Sequence, residues 1–155
     1  MKKIHNRESG ITLLIAIIIT GTLLLVATTI INTTLKQQSL SSAGSQSQYA
    51  FYAADTGVEC AIYWDVKDSQ GYSAFSTSTN STIECNKDAQ NPSNQFVVGA
   101  SPVSTFTMHF LPDPYCAVVT VTKNPDNTTV INSLGYNTCD TSNPRRVERA
   151  IQVSY

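Results

Sequence analysis

One stretch constrains this chain more than any other: from Ile11 to Leu35 there is no charged residue, and the next charge is Lys36. About twenty residues at 1.5 Å rise cross the roughly 30 Å hydrocarbon core of a bilayer. The apolar part, Ile11 to Ile31, is long enough to do so. Lys2, Lys3 and Arg7 precede it and are followed by Glu8, Ser9 and Gly10. A soluble domain has no use for such a helix, so a membrane is the first partner expected. By the positive-inside rule, the basic leader stays on the cytoplasmic side.

Three fates of this segment are distinguishable on residues. A secretory signal peptide has an apolar region of about 7–15 residues and ends in an A-x-A-like site. Here the run is longer, and Ala27-Thr28-Thr29 matches poorly. An uncleaved signal anchor fits the length and the charge. An anchor cut before the apolar run fits as well.

Lys2, Lys3 and Arg7, then Glu8-Ser9-Gly10 and Ile11-Thr12-Leu13-Leu14-Ile15, resemble the class III leader of type IV prepilins. Gly10, Thr12 and Leu13 match the family's G-F-T-L-x-E pattern. The resemblance implies cleavage by prepilin peptidase between Gly10 and Ile11, and N-methylation of Ile11. It departs at the fifth mature position, where the family carries Glu and this chain carries Ile15. That departure points to a minor pilin or a pseudopilin rather than a major subunit. Implied partners are other pilin subunits, prepilin peptidase and the pilus assembly machinery. The expected place is the bacterial cytoplasmic membrane before assembly and the cell surface afterwards. The alternatives are an unprocessed single-pass surface binding module and a type II secretion pseudopilin.

The helical pattern does not stop at Ile31. Lys36 to Gln48 holds one Gly and no Pro. Beyond Tyr49, Phe51, Ala54, Val58, Ala61 and Ile62 share one face of a 100° wheel, extended by Ala53, Gly57, Cys60 and Trp64. This predicts one helix from about Ile11 to Trp64, apolar all round in its first half and one-sided in its second. Such a two-part helix is similar to the pilin spine. Asp55 and Glu59 lie off the apolar face, and Arg145 or Arg146, on this or another subunit, are candidate partners for them.

Four cysteines remain, Cys60, Cys85, Cys116 and Cys139, more than twenty residues apart and with no C-x-x-C pair. That spacing disfavours zinc. In an exported domain an even count reads as two disulfides. Three pairings are open. The sequential one, Cys60–Cys85 with Cys116–Cys139, is favoured, and the chain-entropy model gives each loop roughly 3–4 kcal/mol.

The region 66–94 reads as a loop rich in Ser, Thr and Asn. Strand alternation follows at Thr105–Phe110 and Ala117–Thr122, a turn at Asn124-Pro125-Asp126-Asn127, a return strand at Thr128–Leu134 and a last strand at Arg146–Tyr155. The expected fold class is α+β: a long N-terminal helix packed on three to five antiparallel strands. The expected organisation is a leader at 1–10, a membrane or filament-core half-helix at 11–35, an amphipathic half at 36–65 and a disulfide-stabilised head at 66–155.

No catalytic constellation is visible. His109 sits in a Thr-rich strand, and no nucleotide-binding or nucleophile-elbow motif occurs. No enzyme activity and no cofactor are therefore expected. Asp126 and Asp140 could ligate calcium as in some pseudopilins, but Asx turns explain them equally. Formal net charge is −1. Lys123, Arg145, Arg146 and Arg149 make too small a basic cluster to build a case for nucleic acid.

Overall fold

The apolar run folds as the physics of a low-dielectric setting requires, with every backbone group bonded inside its own helix. Helix α1 spans Ser9–Val66. The computed structural model describes residues 9–66 and 73–155. The chain divides between Ala43 and Gly44 into two compact units.

In the first unit, threonine hydroxyls turn back onto the helix. Thr20 donates to the Ala16 carbonyl, Thr22 to Ile19 (2.9 Å), Thr28 to Leu25 (2.9 Å) and Thr29 to Val26 (2.8 Å). Thr33 and Thr34 both reach the Ile30 carbonyl, at 2.9 and 2.8 Å. A polar side chain satisfied this way adds little cost in an apolar setting.

The second unit holds the remainder of α1 and six strands. Strands β1 (Asn80–Glu84) and β2 (Gln95–Gly99) form an antiparallel pair. Strands β3 (Val103–His109), β4 (Cys116–Lys123), β5 (Thr129–Tyr136) and β6 (Glu148–Ser154) form a four-stranded antiparallel meander in sequence order. Period-two alternation sends Phe106 and Met108 of β3, Ala117, Val119 and Val121 of β4, and Ile131 of β5 into the core. Phe75, Ile83 and Val98 close it from the β1–β2 side. The fold is α+β: one long N-terminal helix, apolar in the first unit, whose continuation in the second unit packs on small antiparallel sheets.

Two expectations need correction. The region 66–94 is not all loop, because β1 lies inside it. Only Ile83 of β1 is buried, so no alternation of large side chains marks the strand. The second correction concerns one member of the helix face, Phe51. Ala50, Ala53, Ala54, Gly57, Val58 and Ala61 are buried, whereas Phe51 is 47 % exposed. The buried stripe is made of small residues because the helix backbone lies almost on the sheet. A Cβ on Gly57 would come within 2.5 Å of Ser133 Oγ and 2.7 Å of Val119 Cγ2.

Ser133 itself is fully buried, and its hydroxyl has no hydrogen-bond partner among the described residues. A buried, unpaired polar atom costs about 1–3 kcal/mol. Ser133→Ala is therefore expected to raise stability by about 1 kcal/mol in urea melts, with unchanged cooperativity.

Candidate functional site

Ile11 to Leu35 is the first candidate surface. Its large apolar side chains are all exposed, Ile11 at 66 % and Ile15 at 49 %. Its hydropathy is sufficient for a membrane span by length and composition. Gly10 is helical, and a Cβ there would meet nothing within 4 Å. Lys2, Lys3 and Arg7 lie outside the described residues. A helix apolar on all sides must bury its surface in lipid or against other helices.

The outward side of α1 in the second unit carries the acidic pair. Asp55 is half-buried, and Glu59 is exposed beside Ile62, Tyr63 and Val66. Neither forms an ion pair with a described residue. Arg145 and Arg146 are not brought to them. The Arg146 guanidinium lies 3.6 Å over the Tyr136 ring, and its Nε donates to the Thr138 carbonyl at 3.3 Å. Arg145 contributes its carbonyl, which accepts from the Asn137 amide at 3.1 Å. Burial pushes the Tyr136 hydroxyl up, Glu148 adds to this, and Arg146 opposes it. Arg149, not Arg145 or Arg146, reaches the helix, donating to Ser47 at 2.7 Å.

Cys60 pairs with Cys85, with Cα atoms 5.8 Å apart, and Cys116 with Cys139 at 5.6 Å. The first bond ties α1 to the end of β1. The second ties the segment after β5 to the start of β4. His109 faces the second pair, its Nδ1 3.5 Å from Cys139 Sγ. Among the described residues, no three His, Cys, Asp or Glu side chains gather as a metal centre. Asp126 accepts from the Thr128 amide (3.0 Å) and hydroxyl (2.6 Å), and Asp140 from those of Ser142 (2.9 and 2.7 Å). These bonds hold both carboxyls below their ordinary range.

Residues that composition did not reveal hold the head together. Asn94 donates to the His109 carbonyl (2.6 Å) and accepts from its amide (3.0 Å). Asn91 does the same to Leu111, at 3.0 and 2.7 Å. Each carboxamide thus imitates one rung of a β-ladder. At the far end of α1, Asp65 accepts from Lys123 (2.7 Å), Tyr155 (2.6 Å) and Ser73. In an Asn-rich chain no local signal separates these asparagines from loop residues. Asp65 was findable only as an acid at the end of an amphipathic helix.

The comparisons bear on the helix. No curated protein and no solved structure matches the chain. The PilX N-terminal family model matches residues 9–59, from the start of α1 to the residue before Cys60. That model describes the N-terminal part of a type IV pilus minor pilin. Over residues 9–59 the chain is thus similar to the N-terminal segment of type IV pilus minor pilins, and that segment is the apolar helix with the first part of its one-sided continuation.

Proposed function

We propose that this chain is a filament subunit whose precursor waits in the cytoplasmic membrane. The observation that carries the reading is the uncharged, fully exposed helical surface from Ile11 to Leu35 inside the matched segment. Prepilin peptidase removes residues 1–10 after Gly10 and methylates the new N-terminus at Ile11. The assembly machinery then transfers the helix from lipid to the core of a filament, beside other pilin subunits, with the head at the surface. Lipid and helix bundle both bury the same apolar area, so the transfer leaves no large apolar surface in water. With Ile15 in the fifth mature position, the subunit lacks the acid that would face a neighbour's terminal amine. It therefore enters a filament built mostly by other subunits. The role is mechanical, without turnover.

Intact-mass and N-terminal peptide analysis of the chain from its native host tests this. Methylated Ile11 is expected as the first residue. Gly10→Leu should leave the full-length precursor in the membrane and remove the chain from sheared filaments. A native chain that keeps Lys2 and Lys3, or a Gly10→Leu variant still cut at the same bond, would establish the uncleaved anchor instead.

A further inference from the structure

We propose that the cleft between the Ser76–Thr79 segment and the β4–β5 turn binds a neutral saccharide. The cleft measures about 960 Å³, at the upper end of the range for small-ligand sites. Thr77 and Thr79 line one side and Asn127 the other. All three are exposed, and none of their side chains bonds to a described residue. Hydroxyls and a carboxamide both donate and accept, which is the requirement for reading sugar hydroxyls. Pro102 and Pro125 also line the cleft and offer the apolar strips that a sugar ring's C–H face needs.

Charge narrows the ligand class. Lys123 is the charged residue lining the cleft, and Asp65 neutralises it at 2.6 Å. An anionic polymer finds no cation to pair with there, and a purely apolar ligand would strand the hydroxyls.

Both walls are already ordered. The Ala100 amide is shared between the Ser76 carbonyl (2.8 Å) and the Thr79 carbonyl (2.9 Å), clamping the first wall onto the residue after β2. Across the cleft, the Asn124 amide donates to the Thr128 carbonyl at 2.9 Å, and Asn127 is held at a φ of 65°. Preformed walls reduce the ordering cost of binding. The proposal does not depend on filament assembly, so its failure and that of the filament reading are separable.

The test titrates the full chain, in a detergent without a sugar headgroup, with neutral hexasaccharides (glucose, mannose and N-acetylglucosamine series). Hexagalacturonate and a heparin hexasaccharide serve as acidic probes. At least one neutral probe should saturate with Kd of about 1 mM or tighter. Asn127→Gly, which keeps the left-handed backbone, and Thr77→Val with Thr79→Val should each weaken it about tenfold, with the thermal midpoint unchanged. No saturation by any neutral probe, tighter binding of the acidic probes, or undiminished binding by both variants would overturn the proposal.

Discussion

Gly135→Ala is expected to cost the head at least about 3 kcal/mol, the upper end of overpacking penalties. The reason is the identity of the atoms in the way. A Cβ at Gly135 would run into the Ala50 carbonyl oxygen and the Ala54 amide nitrogen, and stand 2.9 Å from Ala54 Cβ. Two of these are helix backbone, which has no rotamer to give. The part of α1 in the second unit would have to lift from β5, loosening Ala50, Ala53, Ala54 and Gly57 together. Gly135→Val should leave no folded head. Trp64 reports the event, because its indole donates to the Glu84 carbonyl at 3.1 Å across the helix–β1 contact. Urea melts followed by Trp64 fluorescence measure the loss. Gly44→Ala is the internal contrast. Nothing lies within 4 Å of a Cβ there, so removing a mid-helix glycine should stabilise by up to about 1 kcal/mol. Equal stability of Gly135→Ala and the parent chain would mean that the helix does not sit on β5 as described.

Gly135 also shows where reading the chain succeeds and where it stops. The charge silence from Ile11 to Leu35 is a local property, and so is the alternation through Phe106, Met108, Val119 and Val121; both are legible in the sequence. The turn at Asn124–Asn127 is legible too, since Pro125 presets one dihedral and Asn127 tolerates the left-handed one. The side of α1 that faces the sheet is set by a glycine some eighty positions away. With Gly135 under Ala50 and Ala54, small residues win the contact, and Phe51 turns outward against its hydrophobicity. Strand β1 is hidden for a related reason. It is held by its partner β2 and by the neighbouring disulfide at Cys85, not by its own apolar pattern. The candidate surface on the apolar helix was readable because its chemistry is the absence of charge. The engagement of Arg146 by Tyr136 and Thr138 within its own head was not, because no local pattern brings those residues together.

Asp65→Asn is expected to cost about 2–3 kcal/mol near neutral pH, and that cost should depend on pH in a defined way. The Asp65 side chain is 2 % exposed and meets Lys123, itself 22 % exposed, at 2.6 Å. Lys123 is further held by Thr129 at 2.8 Å, and Tyr155 pairs with Thr129 through both backbone groups. One carboxylate thus joins the end of α1 to β4, β5 and Tyr155. Burial alone would raise the Asp65 carboxyl. The hydrogen bonds from Lys123, Ser73 and Tyr155, with the Lys123 charge, outweigh it and hold the group below its ordinary range. A depressed carboxyl contributes stability above its unfolded value of about 3.9, and that stability is lost as pH falls through the folded value. Tyr155 runs the other way. Burial and then the Asp65 carboxylate raise its hydroxyl, so its contribution is whole below about pH 10 and is lost as pH rises beyond. The stability difference between the parent chain and Asp65→Asn should therefore form a plateau from about pH 5 to 9, narrowing on both sides. Tyr155→Phe should remove the alkaline decline and keep the acid one. A difference that stays level down to about pH 2 would mean that Asp65 does not hold its charge against these three donors in the folded head.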